Sequence, residues 1–166
     1  HRMLGTLPQG TNMKEKMMTF IEASVYEKSE KIHVISEYTR VRLANYKVFE
    51  SKIRLVHDWV DVEKFVLPQD RTMVRNQLSI SPDDFVVFTL RALQERMGLA
   101  NLIKGFQQVK QAIPLARLII GGKGPLRSEL ENLAQQLGVA ENVTFLGYVP
   151  DEEVVPRYQA ADVFIM

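Results

Sequence analysis

Cysteine is absent from the 166 residues, which excludes disulfides and thiol catalysis and is compatible with a cytoplasmic setting. No apolar run approaches the roughly 20 residues that span a bilayer, and the N-terminus lacks the apolar core of a signal peptide. Neither sign of charge is in excess. With a formal net charge of +1, composition offers no basis for attraction to nucleic acid or to an anionic membrane surface. Metal-ligand spacing is missing throughout, and His57 beside Asp58 has no serine or cysteine nucleophile motif near it, which argues against a catalytic triad. Internal repeats and low-complexity segments are absent too. What the chain does have is 46% hydrophobic content, enough for one medium domain or parts of two.

The first half reads irregularly. Helical periodicity covers residues 12–29 (Met13, Met17, Phe20, Ile21, Ser24, Val25), followed by a short strand at Ile32–Ile35, a helix over 39–49, a strand at Ile53–Val56 and a helix over 70–78. From Phe85 the rhythm becomes regular: strand 85–90, helix 98–112, strand 117–120, helix 125–137, strand 143–146, helix 151–160 and strand 162–166. Strands alternating with helices of this length imply βαβ units and a Rossmann-like parallel sheet with flanking helices, an α/β fold. The boundary between the two halves falls between Phe65 and Ser81. His1-Arg-Met-Leu-Gly5 resembles neither an initiation site nor a targeting segment, and Val163 to Met166 reads as a buried strand in progress, so the chain is expected to be part of a longer protein.

The most informative stretch runs from Ala116 to Gly138: a buried strand, a glycine-rich turn and a helix. Gly121, Gly122 and Gly124 let the backbone turn sharply and admit a ligand close to the main chain. Pro125 suits the first helical position. Leu126, Leu130, Leu133, Ala134 and Leu137 form one apolar stripe that ends at Gly138. Free N–H groups at that helix start would face the carboxyl edge of the sheet, where open α/β folds bind anionic ligands. Gly122-Lys-Gly-Pro-Leu-Arg127 lacks the third glycine of the dinucleotide fingerprint, which argues against an NAD domain, and a plain βα turn explains the spacing equally well.

A second candidate is the loop after the strand at 85–90. Arg91 and Arg96 lie in it, ahead of Gly98 and a helical stripe of Leu99, Leu102, Ile103, Phe106, Val109 and Ile113. Arginines at the same sheet edge could grip a diphosphate through paired N–H groups, and two solvated arginines are the plain alternative. Ser36 and Thr39 read as helix caps, which explains them as well as ligand contact does. His33, within an apolar strand, reads as a core histidine.

In order and spacing, these segments together resemble the family 4 (group 1) glycosyltransferases, retaining enzymes of the GT-B fold. The likeness runs from about Tyr26 to Met166. It is carried by Val34-Ile-Ser-Glu-Tyr-Thr-Arg40, Lys52 to Phe65, Arg91 to Leu99 with Ile103-Lys-Gly-Phe106, Pro114 to Arg127, Val143-Thr-Phe-Leu-Gly-Tyr-Val-Pro150 and Tyr158-Gln-Ala-Ala-Asp-Val-Phe164. The resemblance implies a partial GT-B architecture. Residues 1–65 would be the end of an acceptor-side N-terminal domain and the interdomain connection, 66–81 a connecting segment, and 82–166 the first half of a nucleotide-sugar-binding C-terminal domain.

The implied activity is transfer of a sugar from a nucleotide-sugar donor to a glycan or lipid-linked acceptor. No cofactor or metal is implied, nor nucleic acid. The implied setting is cytoplasmic, with peripheral membrane association open to the full-length parent. Arg96 and Arg91 are the implied catalytic cations on the donor diphosphate. Gly98, Gly122, Lys123 and Gly124 would lie beside the phosphates or sugar, and Tyr148 and Val149 near the base. Two departures stand out. Counting back from Gly98, the family's arginine falls on Ala92 and its lysine on Met97. The family's Glu-x7-Glu pair would follow Met166, so the chain alone is expected to be inactive, and its apolar end is expected to favour self-association. Two other readings are a non-hydrolysing sugar-nucleotide epimerase and a non-catalytic binding or interaction module.

Overall fold

The computed structural model describes residues 12–43, 46, 48–66 and 70–166. The elements in chain order are α1 (Met13–Lys28), β1 (Ile32–Val34), α2 (Glu37–Leu43), β2 (Ile53–Leu55), α3 (Arg71–Gln77), β3 (Phe85–Leu90), α4 (Leu99–Ala112), β4 (Ala116–Gly121), α5 (Arg127–Gln136), β5 (Val143–Gly147), α6 (Asp151–Ala160) and β6 (Val163–Phe164). The chain divides into two compact units between Val60 and Asp61.

In the first unit β1 and β2 pair in parallel, Ile32 opposite Ile53 and Val34 opposite Leu55. Val34, Leu43 and Ile53 make a small core, with Tyr26 and Val48 against it. Ser36 caps α2, its Oγ accepting from the Thr39 N–H at 3.2 Å. Two expectations need correction. The helix expected over 39–49 starts at Glu37 and ends at Leu43, with a separate 3-10 turn at Glu50–Lys52. His33 is exposed instead of buried: neighbouring strand residues face opposite ways, Val34 takes the inward place, and His33 Nε2 meets the Val56 carbonyl at 2.8 Å. The apolar stripe of α1 also lies open, with Met13, Phe20 and Val25 exposed.

The second unit is a four-stranded, all-parallel sheet in the order β5-β4-β3-β6. Chain order runs outward from β3 through β4 to β5 and then returns to the far side of β3. The switch point of the sheet therefore lies between β3 and β6. Strand formation follows composition: Phe85-Val-Val-Phe-Thr-Leu90 is β-branched or aromatic at nearly every position, and its middle four residues are buried. One face carries α4 and α5, whose Leu99, Ile103, Phe106, Leu130 and Ala134 close over Val87, Leu118 and Ile120. On the other face α3, the segment after it and α6 bring Val74, Ile80, Tyr158 and Ala160 onto Val86, Phe88 and Ile119. Side chains such as Ile103 and Phe106, almost fully removed from water, contribute about 1.5–3 kcal/mol each by burial.

A buried ionic clamp fastens the second face. Arg75, 5% exposed, donates to the carbonyls of Ala160, Pro82 and Asp84 and to Asp162 Oδ2 at 2.8 Å. Arg71 adds a bond to Asp162 Oδ1 at 2.9 Å, and the Val86 N–H donates to Asp162 Oδ2 at 2.7 Å. Burial opposes the charge on Asp162, but the Val86 N–H and the two guanidiniums outweigh it and hold the carboxyl below its ordinary value. No helix among the described residues is long and apolar enough to cross a membrane.

Candidate functional site

The loops that leave the carboxyl ends of β3, β4 and β5 meet at one edge of the sheet. Main-chain bonds join them. The Arg91 N–H donates to the Gly121 carbonyl at 2.9 Å, Leu93 N–H to Lys123 at 2.9 Å, Gly122 N–H to Gly147 at 2.6 Å and Leu126 N–H to Leu93 at 3.2 Å. The loop carrying the arginines, the glycine turn and the loop carrying Tyr148 thus form one framework.

The glycines are required by that framework. Gly122 has φ 125°, and a Cβ there would come within 1.9 Å of the Arg91 carbonyl oxygen. A Cβ on Gly124 would come within 2.3 Å of the Leu93 oxygen. The close approach that these two residues permit is therefore to the protein's own main chain. Helix α5 begins at Arg127 instead of Pro125, because residues 124–126 make the turn that brings the Leu126 N–H to Leu93. Its end is as the sequence indicates, with Gly138 left-handed at φ 69°.

Arg91 is half-buried at the end of β3, its Nη1 3.5 Å from the Met97 carbonyl. Arg96 is exposed in a 3-10 turn, Glu95–Met97, and has no ion-pair partner among the described residues. Gly98 follows at φ 69°, in the left-handed region, and starts α4. Its carbonyl accepts from Asn101 and Leu102, which leaves the N–H groups of Leu99 and Ala100 without a main-chain acceptor among the described residues. Those donors lie on the loop that carries Arg91 and Arg96, which leaves the carboxyl end of β3 beside the β3–β6 switch point. The arrangement suits an anion with several oxygens.

Across the edge, Lys123 Nζ stands 5.4 Å from the centre of the Tyr148 ring. Val149 is 6% exposed, and its Cγ2 would be 2.8 Å from a Cβ on Gly121, so its side chain belongs to the core. The structure thus joins Arg91, Gly122, Gly124, Lys123, Tyr148 and Val149 in one edge, with Arg96 and Gly98 on the same loop as Arg91. One residue passed over by the sequence reading also belongs here. Arg127 lies against Gly147, donates to Phe145 O at 3.4 Å and pairs with Glu131 at 2.8 Å. Its place as the last residue of Gly-Lys-Gly-Pro-Leu-Arg was the available signal. Among the described residues, no group of three or more His, Cys, Asp or Glu side chains is placed to hold a metal ion.

An open parallel sheet with a polar edge at its switch point belongs to the doubly wound class of α/β domains, which hold ligands at that edge. Residues 70–166 match the family model of the glycosyl transferases group 1, and the chain belongs to that family. A relative from Mycolicibacterium smegmatis, a GDP-mannose-dependent alpha-(1-6)-phosphatidylinositol monomannoside mannosyltransferase, is 33% identical over 133 residues, covering 80% of this chain and 35% of that protein. Among solved structures, WaaG, a glycosyltransferase involved in lipopolysaccharide biosynthesis, superimposes with a TM-score of 0.78 at 18% identity, covering 92% of this chain and 42% of that one. Anabaena HepE in complex with UDP and glucose gives a TM-score of 0.72 at 20% identity, covering 87% and 40%. These structural likenesses establish the GT-B-related fold. The chain spans about a third of the mycobacterial relative's length. The family match gives the epimerase reading no support.

Proposed function

We propose that the sheet edge is the donor half of a nucleotide-sugar site in a retaining glycosyltransferase whose acceptor is a glycan or a lipid-linked glycan. One observation carries this reading: main-chain bonds hold the arginine loop and the glycine turn together at the carboxyl edge, beside the switch point. Arg96 and Arg91 take the diphosphate, with the free N–H groups at the start of α4 beside them. As the bond to the sugar breaks, negative charge gathers on the leaving diphosphate, and cations already in place stabilise it. The names of the relatives support the donor class, one being GDP-mannose-dependent and another holding UDP and glucose. The phosphatidylinositol mannoside in the first name supports a lipid-linked acceptor and, for the full-length parent, work at a membrane surface.

On this reading residues 1–65 belong to the acceptor side and the connection, 66–81 to a connecting segment whose α3 packs on the sheet of the second unit, and 82–166 to donor binding. The 166 residues suffice to bind the nucleotide. Titration of UDP, GDP and ADP by calorimetry, with Arg96→Ala as the control, tests the reading. Saturable binding of at least one nucleotide that weakens about tenfold in the variant is expected for a lost charge-assisted contact. No response to any of the three overturns it.

A further inference from the structure

Thr89, the last but one residue of β3, is wholly buried, and its Oγ1 has no hydrogen-bond partner among the described residues. Its chain neighbours Phe88 and Leu90 pack on the α3 and α6 side of the sheet, so Thr89 faces α4 and α5. That face is otherwise apolar. Val87 precedes Thr89 on it, Ile120 stands opposite on β4, and Leu99, Ile103 and Phe106 of α4 cover it. A buried hydroxyl costs stability unless it is paired, and valine has nearly its shape without that cost. For the fold alone, valine would serve better at position 89.

One flexible donor shares the face. The Arg91 N–H donates to the Gly121 carbonyl at 2.9 Å, so strand pairing and its alternation continue to residue 91, and Arg91 lies on the same side as Thr89. Two strand residues span about 7 Å, within reach of an arginine side chain folded back along the strand. The guanidinium has five N–H donors, and its acceptor among the described residues is the Met97 carbonyl, 3.5 Å from Nη1. An underused donor and a bare acceptor thus lie two residues apart on one side of β3.

We propose that Thr89 is a positioning residue of the donor site, its hydroxyl accepting from the Arg91 guanidinium when that arginine holds a diphosphate. The inference rests on the donor-site reading above. A guanidinium is a planar fork, and contact with phosphate alone leaves it free to swing on its long stem. A second contact, from an inner N–H to Thr89 Oγ1, fixes the plane and turns the remaining donors outward to the phosphate oxygens. Binding then pairs a hydroxyl that the free chain leaves bare, so part of the affinity comes from relieving that cost. Thr89 touches no ligand and acts through Arg91.

Thr89→Val separates this role from packing, because it moves stability and binding in opposite directions. Its thermal midpoint should lie about 3 °C above that of the unaltered 166-residue chain, since a bare buried hydroxyl is removed. Each of UDP, GDP and ADP that binds the unaltered chain in calorimetry should bind this variant about fivefold more weakly, the scale of one hydrogen bond to a charged group. Thr89→Ser keeps the hydroxyl and should keep the affinity. In an Arg91→Ala background, adding Thr89→Val should leave the affinity unchanged. Full affinity in Thr89→Val, an equal loss in the Arg91→Ala background, Thr89→Ser binding as weakly as Thr89→Val, or a midpoint that falls overturns the inference while the donor site stands. Binding of none of the three nucleotides by the unaltered chain overturns the donor site and this inference together.

Discussion

The carbonyl oxygen of Arg91 occupies the place that a side chain on residue 122 would need, 1.9 Å from the ideal Cβ position. Gly122 also has φ 125°, a conformation that L side chains rarely adopt. Gly122→Ala should therefore cost about 3 kcal/mol or more, through strain and through displacement of the arginine loop. Gly98→Ala supplies the comparison: φ is 69° there but nothing lies within 4 Å, so about 1 kcal/mol is expected. Denaturant unfolding of both variants measures the difference. Equal losses would show that the close packing of the two loops contributes nothing.

Ala92 follows Arg91 directly, at the position that the resemblance, counted back from Gly98, implies for an arginine. If the edge holds a diphosphate, Ala92→Arg should strengthen UDP or GDP binding about tenfold, and added salt should erode the gain. Calorimetry at two salt concentrations reads both effects. An unchanged or weakened affinity would mean that position 92 does not face the phosphates.

Asp162 is held below its ordinary pKa by Val86, Arg71 and Arg75 against the opposition of burial. The unfolded chain then takes up the proton at a higher pH than the folded one. The stabilisation is complete above the unfolded value, about pH 4, and is lost as pH falls through the lower folded value. Asp162→Asn should be less stable at neutral pH, and its stability should decline less between about pH 5 and 3 than that of the unaltered chain. Arg75→Met leaves Asp162 without its most buried partner and should cost about 3 kcal/mol at pH 7. Thermal unfolding across this range tests both, and parallel declines for the chain and Asp162→Asn would remove Asp162 from the account.

Much of the second unit is legible because its signals are local. β3 and α6 occupy the residues that period and composition indicate, Phe85–Leu90 and Asp151–Ala160. The start of α5 is not legible, since Pro125 fits a first helical turn locally and the contact that delays the helix comes from Leu93, more than thirty positions earlier. The clamp is hidden for a related reason. Arg75 reads as a surface residue until α3 sets it against the end of α6 and the Asp162 carboxylate. His33 misleads in the opposite sense, because an apolar neighbourhood in sequence does not say which face of a strand is covered. For the candidate site, the glycine spacing marks the turn after β4, whereas the partners of those glycines, Arg91 and Leu93, emerge only in three dimensions.

The bonds that join the three edge loops use main-chain atoms alone, from Arg91, Leu93, Gly122 and Leu126 to Gly121, Lys123, Gly147 and Leu93. Side chains at positions 91, 92, 96, 123 and 148 can therefore change while the loops keep their path. The contour of the edge and its chemistry reside in different sets of atoms. Substitutions at those positions can then alter what the edge binds without having to refold the domain that presents them.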